Sequence, residues 1–151
     1  MIICDIDNTL INGKMTDLMD ITWRLFKNVR LANLLGWLQY KFKLYNINEN
    51  VLRVLTSYDG VVIFLTARSY TEYLEPMLDD IVPPWVAWEL EALGTENPAE
   101  DKKNYIKYLR SIYDTKKEVF LFIDDSENNR KECSGYAICV DPNRMKLCKK
   151  I

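Results

Sequence analysis

The chain has 151 residues, of which 48% are hydrophobic and 28% charged, and its formal net charge is -2. These values are typical of one globular domain with a buried core, and they exclude an intrinsically disordered chain. The near-neutral charge gives no reason to expect nucleic acid as a partner. Because the chain contains no histidine, a Ser-His-Asp triad, an HExxH zinc site and phosphohistidine chemistry are also excluded.

Short apolar runs alternate with helical patterns along the chain. The runs that predict strands are 1–4, 61–65, 85–88, 119–123 and 136–140. Continuous apolar runs of this kind, separated by helices, indicate a parallel sheet with both faces covered. The sequence therefore predicts the α/β class, with a doubly wound, Rossmann-like, mostly parallel five-stranded sheet in a single domain spanning 1–151.

The helices are predicted from their capping residues and apolar spacing. Asn48 is expected to begin a helix over 49–58, which Asp59-Gly60 ends, and Ser126 to begin a short helix that Gly135 ends. Two further helices are predicted over 70–79 and 99–113.

Residues 16–45 exceed what a minimal alternation of strands and helices needs. Their apolar spacing predicts a helix, and Gly36 is expected to divide the segment into two. We interpret 16–45 as a small helical cap-like insertion after the first strand. The apolar residues with this spacing are Leu18, Ile21, Leu25, Val29 and Ala32.

Polar side chains follow three of the predicted strands. Asp5 and Asp7 end the first strand, Thr66 ends the second, and Asp124-Asp125 follow "VFLFI". Ligands of open α/β sheets bind beyond the carboxyl ends of the strands, so these side chains are expected to meet at one edge. Each ending by itself is typical of a solvated turn or a helix cap, and only their combination favours a site.

Four carboxylates at one edge repel each other by about 4 kcal/mol per close pair at intermediate dielectric and therefore need a cation. Without histidine or clustered cysteine, zinc is not expected. Oxygen ligands completed by water and a substrate phosphate are typical of Mg²⁺, which is the predicted cofactor.

The motifs "DIDNTL", "FLTAR" and "FIDDS", in this order, resemble three motifs of the haloacid-dehalogenase (HAD) superfamily of aspartate-nucleophile phosphatases. The resemblance covers the chain from Asp5 to about residue 140. The family also has a lysine before the fourth strand, for which "EDKKNYIKYL" offers Lys102 or Lys103. The apolar spacing that follows favours Lys102.

The resemblance implies a role for each motif residue. Asp5 is the expected nucleophile, Asp7 the general acid and base, and Thr66 and Lys102 hold the phosphoryl group. An acid at position 7 favours phosphate-ester hydrolysis over dehalogenation. The further residues expected to bind phosphate are Asn8, Thr9, Ala67 and Arg68, and those expected to bind the metal are Asp5, Asp7 through its carbonyl, Asp124 and Asp125. Asn8 replaces a glycine that is common in the family.

The substrate is less constrained than the chemistry. Basic and aromatic residues of the insertion, among them Arg24, Lys27 and Trp23, suit a nucleotide or a single strand, but they also fit a helical pair with aromatics in the core. Residues 89–101 carry only acidic charges, and they either contact the insertion or are solvated.

We therefore expect a Mg²⁺-dependent phosphomonoester hydrolase acting on a nucleotide or another small phosphorylated compound. One alternative is a polynucleotide 3′-end phosphatase, although a nucleic-acid partner is not favoured. The other is a non-catalytic HAD-like binding or regulatory module.

The location is predicted from cysteine usage and from missing targeting signals. The chain has neither a signal-peptide pattern nor an apolar stretch long enough to cross a bilayer, and Cys4, Cys133, Cys139 and Cys148 have no CxxC spacing. Reduced thiols, a cytoplasmic location and no membrane partner are the resulting expectations.

Overall fold

The structure is a computed structural model that describes residues 1–69, 71–113 and 117–145. Five strands form one sheet: β1 (Ile2–Cys4), β4 (Val62–Thr66), β5 (Trp88–Ala92), β6 (Leu121–Ile123) and β7 (Ile138–Val140). Their spatial order is β5-β4-β1-β6-β7, and all neighbouring strands pair in parallel. The predicted α/β fold with a five-stranded sheet is confirmed.

Helices cover both faces of this sheet. On one face, α3 (Glu49–Thr56) and α4 (Leu74–Ile81) pack on Ile2, Cys4 and Phe64. On the other face, α5 (Pro98–Ile112) and α6 (Glu127–Cys133) pack on Ile3 and Phe122. Because the side chains of β1 alternate between the two faces, both cores share this central strand. The arrangement is doubly wound, and the strand order reverses between β1 and β6.

The strand predicted over 85–88 begins later than expected. Val86 N–H donates to the Pro83 carbonyl at 3.0 Å in a turn, and β5 starts only at Trp88. On this edge strand Trp88, Leu90 and Ala92 pack against the core, whereas Glu89 is exposed. The alternating glutamates, typical of an exposed edge, interrupt the apolar run, so a continuous apolar pattern does not predict the strand at this position.

The predicted capping residues begin their helices. Asn48 Oδ1 accepts hydrogen bonds from the N–H groups of Asn50 and Val51, and Ser126 Oγ accepts from Asn129 N–H. The helix predicted over 70–79 begins only at Leu74, and Tyr70 lies outside the described residues. A short 3₁₀ turn at Pro142–Arg144 follows β7.

The insertion is attached through two short strands that the sequence did not predict. β2 (Ile11–Asn12) pairs antiparallel with β3 (Asn46–Ile47), so the chain leaves and re-enters the domain at adjacent points. Between them lie α1 (Lys14–Phe26) and α2 (Val29–Lys41).

The helix break in the insertion lies at Lys27, and the prediction that Gly36 divides the segment is wrong. Lys27 adopts a left-handed conformation (φ 45°) that ends α1, and the Asn28 side chain caps α2. Gly36 lies inside α2, where a Cβ would come within 1.9 Å of the Tyr73 hydroxyl. The glycine therefore serves close packing of α2 on Tyr73 and not helix termination.

The apolar residues whose spacing predicted α1 point away from the domain. Leu18, Ile21 and Leu25 are 46%, 52% and 71% exposed, whereas Thr16, Met19 and Thr22 form the buried side of the helix. The alternative that the aromatics of the insertion are core residues holds for Tyr40 and Tyr45, which pack against the core. It does not hold for the exposed side chains of Phe26, Trp37 and Phe42.

Within the described part of the chain, no helix is both long and apolar enough to cross a bilayer. Cys4, Cys133 and Cys139 are free thiols, and Cys148 lies outside the described residues.

Candidate active site

The turn after β1 carries the first two acids of the site. Asp5 N–H still donates to the Ile123 carbonyl at 2.9 Å, while the Ile6 carbonyl accepts from Leu10 N–H at 3.0 Å and closes the turn. Asn8 has φ 56°, a left-handed conformation that asparagine adopts more readily than most residues. Asparagine is therefore compatible with the left-handed backbone that this turn requires at position 8.

The turn after β6 holds the fully buried Asp124 through several donors. Asp124 Oδ1 accepts from Ser126 N–H at 2.9 Å, and Asn129 Nδ2 donates to Oδ1 and Oδ2 at 3.1 and 3.0 Å. Arg130 Nη1 donates to the carbonyls of Asp124 and Asp125 at 2.7 and 2.6 Å. The carboxylate is therefore fixed in orientation before any ligand arrives.

Lys102 connects these two turns. Its buried ammonium lies 2.7 Å from Asp5 Oδ1 and 2.7 Å from Asp124 Oδ2. Lys103 points to the surface, where its ammonium pairs with Glu100 at 2.7 Å and Glu132 at 3.0 Å. Of the two candidate lysines, the structure brings Lys102 to the acids.

Burial dominates the electrostatics of the acids. Burial raises the pKa of Asp5 to about 8, with Asp124 and Asp7 adding to the shift and Lys102 opposing it. Burial, together with Asp124, also raises the pKa of Asp125 above its usual range. Burial by itself would lower the pKa of Lys102, but Asp5 and Asp124 outweigh it and raise that pKa. Lys102 therefore offsets only part of the free-energy cost of burying these acids in their charged form.

The donor set of the site fits a hard divalent cation. One carboxylate oxygen from each of Asp5, Asp124 and Asp125 lies within 4.8 Å of the others. The Asp7 carboxylate is not in this group, and the expectation that its backbone carbonyl binds the metal stays a prediction. When all four acids are ionised they carry four negative charges, of which Lys102 and Arg68 offset two, and the remaining charge equals that of one Mg²⁺.

The two threonines expected at the phosphate are both fully buried. Thr66 Oγ1 accepts from Arg68 N–H at 3.2 Å. Thr9 Oγ1 accepts from Asp125 N–H at 3.0 Å and lies 3.3 Å from Asp125 Oδ1 and 3.5 Å from Asp5 Oδ2. Thr9 therefore joins the two acidic turns, and its expected contact with phosphate stays a prediction.

Arg68, expected to bind phosphate, is paired with Asp7. Its Nε donates to Asp7 Oδ2 at 2.7 Å, and its Nη2 donates to Asp7 Oδ1 and, at 2.9 Å, to Gln39 Oε1 of the insertion. Burial by itself would lower the pKa of Arg68, but the nearby Asp7 carboxylate outweighs the effect of burial and raises that pKa. This forked geometry is the strong form of an arginine–carboxylate contact.

A cavity of about 400 Å³ lies over these acids. Its floor includes Asp5, Asp7, Asn8, Lys102 and Asp125, and the insertion covers it from above. The residues of the insertion that line it are Thr16, Met19, Asp20, Trp23, Arg24, Val29, Ala32 and Asn33. The remaining lining residues are Ala67, Arg68, Ser69, Tyr73, Gly94, Thr95, Glu96, Pro98, Ser126 and Asn129.

An ion pair spans the rim of this cavity. Lys27 Nζ of the insertion lies 3.0 Å from Glu96 Oε2. The expectation that the acidic segment 89–101 contacts the insertion therefore holds for Glu96, whereas Glu89 and Glu91 belong to β5. The cavity is consequently bounded by the insertion on one side and by the segment after β5 on the other.

Three polar residues next to the site were not predicted from the sequence. They are Asn129, which holds Asp124, and Gln39 and Tyr73, which lie beside Arg68. Asn129 follows the Ser126 cap at three residues, a spacing that predicts a helix start but not the partner of its side chain. No local sequence pattern predicts the roles of Gln39 and Tyr73, because their contacts join elements that are distant in the chain.

No protein-family model, curated protein or solved structure matches this chain.

Proposed function

We propose that the protein is a Mg²⁺-dependent phosphomonoester hydrolase that works through an aspartyl-phosphate on Asp5 and acts on a small phosphorylated compound. The observation that carries the proposal is the position of Asp5: its carboxylate contacts the Lys102 ammonium at 2.7 Å, belongs to the acid cluster and lines the cavity. The resemblance of the strand-end motifs to HAD phosphatases supports the same reaction.

In the first step, a carboxylate oxygen of Asp5 attacks phosphorus, and the bond between phosphorus and the leaving oxygen breaks. The protonated form of Asp7, two residues along the same turn, donates its proton to that leaving oxygen, and Arg68 contacts the carboxylate that remains. Lys102 offsets the negative charge on the attacked group, since its ammonium already contacts Asp5. The products are an alcohol and an aspartyl-phosphate.

In the second step, water attacks the phosphorus of the aspartyl-phosphate. Asp7 accepts the proton of this water, the bond between phosphorus and the Asp5 oxygen breaks, and inorganic phosphate leaves. The cycle restores both aspartates and needs no other reactant.

Asp5, Asp124 and Asp125 would hold the Mg²⁺. When bound, the ion supplies positive charge to the phosphoryl oxygens and offsets the repulsion among the acids. Asn129, Ser126 and Lys102 keep the Asp124 carboxylate in place for this purpose.

The size of the cavity and the two helices over it support a small substrate over a polynucleotide end. A volume of about 400 Å³ covered by α1 and α2 suits a compound of nucleotide size or smaller. Trp23 lines the cavity, and Arg24 and Asp20 form an ion pair of 2.8 Å within the lining. A single strand would need an open groove, whereas the Lys27–Glu96 pair crosses the rim.

A non-catalytic binding module is less well supported. Burying Asp5, Asp124 and Lys102 together costs desolvation energy that a module without chemistry could avoid with apolar residues. The raised pKa of Asp5 is typical of groups at reactive sites.

A phosphate-release screen tests the proposal directly. The protein with Mg²⁺ is incubated with p-nitrophenyl phosphate, nucleoside monophosphates, sugar phosphates and 3′-phosphorylated oligonucleotides. Turnover is expected for small compounds, with none for Asp5→Asn and full turnover for the matched control Asp59→Asn, whose side chain is exposed. Equal turnover by Asp5→Asn and the unaltered chain would refute the nucleophile, and activity on oligonucleotides alone would favour the polynucleotide alternative.

A further inference from the structure

A buried chain of hydrogen bonds leads from the insertion to Asp7. Arg68 donates from Nε and Nη2 to the Asp7 carboxylate and from Nη2 to Gln39 Oε1 at 2.9 Å. Gln39 Nε2 in turn donates to Thr16 Oγ1 at 2.8 Å. The chain thus connects α1 and α2 with the aspartate that handles protons in the proposed reaction.

From this geometry we infer that Gln39 is a positioning residue for Asp7, acting through Arg68. Gln39 does not line the cavity, so it acts on the reaction through its partners Thr16 and Arg68, and Arg68 is the one that contacts Asp7. The inference rests on the proposed phosphatase function and adds to it: the insertion helps to set the position of the acid, besides covering the substrate.

The burial and orientation of Gln39 support a specific role. The residue is 0% exposed, and a buried amide costs free energy unless its oxygen and nitrogen are both bonded. Here Oε1 faces a guanidinium, which has only donors, so the reversed amide would place two donors against each other. An apolar residue would fill this place at lower cost if packing were the only requirement.

Gly36 provides independent support from the backbone of the same helix. A Cβ at Gly36 would lie 1.9 Å from the Tyr73 hydroxyl and 2.5 Å from its ring carbon Cζ. Only glycine lets α2 approach this buried ring so closely, and Gln39, one turn further along, thereby reaches Arg68. The close approach holds α2 against Tyr73, a neighbour of Arg68, and the hydrogen-bond chain holds the same helix against Arg68 itself.

Arg68 has the geometry needed to transmit this effect. Its side chain is 8% exposed, and its two contacts to Asp7 leave the carboxylate little rotational freedom. Without the Gln39 oxygen, the guanidinium keeps its contacts with Asp7 and Tyr73 but loses the hydrogen bond that ties it to α2, and the Arg68–Asp7 pair can shift as a unit. A misplacement of about 1 Å in a catalytic group is enough to cost on the order of 100-fold in rate.

The test compares Gln39→Leu with Gln39→Glu, which keeps an acceptor for Arg68 and can accept a hydrogen bond from the Thr16 hydroxyl. Gln39→Leu is expected to lower kcat by about 10- to 100-fold, with KM changed less than about threefold, whereas Gln39→Glu stays within about threefold of the unaltered chain. Gly36→Ala is expected to behave like Gln39→Leu.

A leaving-group comparison separates positioning from a loss of folding. The kcat loss in Gln39→Leu should be about tenfold larger for glycerol 3-phosphate than for p-nitrophenyl phosphate, whose leaving group needs no proton. Asn28→Ala is the control: it removes the cap of α2 but leaves Gln39 in place, and it should lower both rates equally or not at all. Equal losses for both substrates in Gln39→Leu, or no rescue by Gln39→Glu, would overturn the inference.

An NMR measurement keeps this test independent of turnover. The Arg68 Nε–H is expected to exchange slowly with solvent in the unaltered chain and in Asp5→Asn, and fast in Gln39→Leu. If the unaltered chain hydrolyses no phosphate ester, the proposed function fails, but this measurement still decides whether Gln39 holds Arg68 on Asp7. An exchange rate unchanged by Gln39→Leu would reject the positioning role.

Discussion

Lys102 Nζ and Asp5 Oδ1 lie 2.7 Å apart in the buried centre of the site, and the same ammonium lies 2.7 Å from Asp124 Oδ2. One side chain on α5 therefore joins the acids that follow β1 and β6. Neither acid has another lysine or arginine within ion-pair distance among the described residues. Both buried acids therefore depend on Lys102 for an opposite charge.

Lys102→Met should remove activity and destabilise the protein. Leaving the buried acids without the ammonium is expected to lower the free energy of unfolding by about 3–5 kcal/mol and kcat by at least about 100-fold. Lys103→Met, the neighbouring control, removes only surface ion pairs and should change stability by no more than about 0.5 kcal/mol. Urea unfolding and steady-state kinetics measure both effects, and equal behaviour of the two variants would contradict the assignment of Lys102.

Mg²⁺ should stabilise the folded protein by binding the acid cluster. At a concentration 100 times the dissociation constant, the gain is about 2.7 kcal/mol, or a rise in Tm of about 5–10 °C for a chain of this size. Asp125→Asn should lose most of this gain, whereas Asp59→Asn should keep it. EDTA should abolish turnover and added Mg²⁺ restore it; a Tm insensitive to Mg²⁺ would count against the metal site.

The metal-free protein should become less stable as pH rises from about 4 to about 8. Asp5 has a folded pKa of about 8 against an ordinary value of 3.8, so in this range the folded state binds more protons than the unfolded state. Stability must then fall with rising pH, and the raised pKa of Asp125 acts in the same direction. Thermal melts in EDTA measure the slope.

Two comparisons isolate the origin of that slope. Asp5→Asn should flatten it, because the asparagine does not titrate, and saturating Mg²⁺ should flatten it by offsetting the negative charge. A slope that persists unchanged in Asp5→Asn would show that other groups cause it.

Asn129→Ala should weaken Mg²⁺ binding without touching the metal itself. The Asn129 amide donates to both oxygens of Asp124, and the loss of such an orienting contact typically costs about 10- to 100-fold in metal affinity. Asn128→Ala, on the exposed side of the same helix, is the matched control. Titration calorimetry with Mg²⁺ compares the two, and similar affinities would show that Asp124 keeps its orientation by other contacts.

The type and order of most elements of the domain could be predicted from local patterns. Continuous apolar runs predict buried parallel strands wherever both faces are covered, as in β1, β4 and β6, and the side chains of Asn48 and Ser126 begin their helices as expected. The edge strand β5 was displaced in the prediction because only one of its faces is apolar. The same local patterns indicate which strands end on acidic residues, because the residues that follow a predicted strand are known from the sequence itself.

The partners of the site residues depended on tertiary structure. Lys102 and Lys103 are adjacent in the chain, yet the rotation between consecutive helical positions directs Lys102 to the acids and Lys103 to the surface. Arg68 was expected at the phosphate, but the fold brings it to Asp7 and to Gln39, a residue without any local signal. Gly36, read as a helix break, serves the contact with Tyr73.

The division between the two sources of information has a physical reason. Strand and helix patterns arise from interactions between residues a few positions apart, and the sequence by itself determined these elements and placed the acids at the strand ends. The side chain that faces each acid, and the side of the insertion that is buried, depend on contacts between distant segments. Those contacts exist only once the elements pack, so the tertiary structure alone decided them.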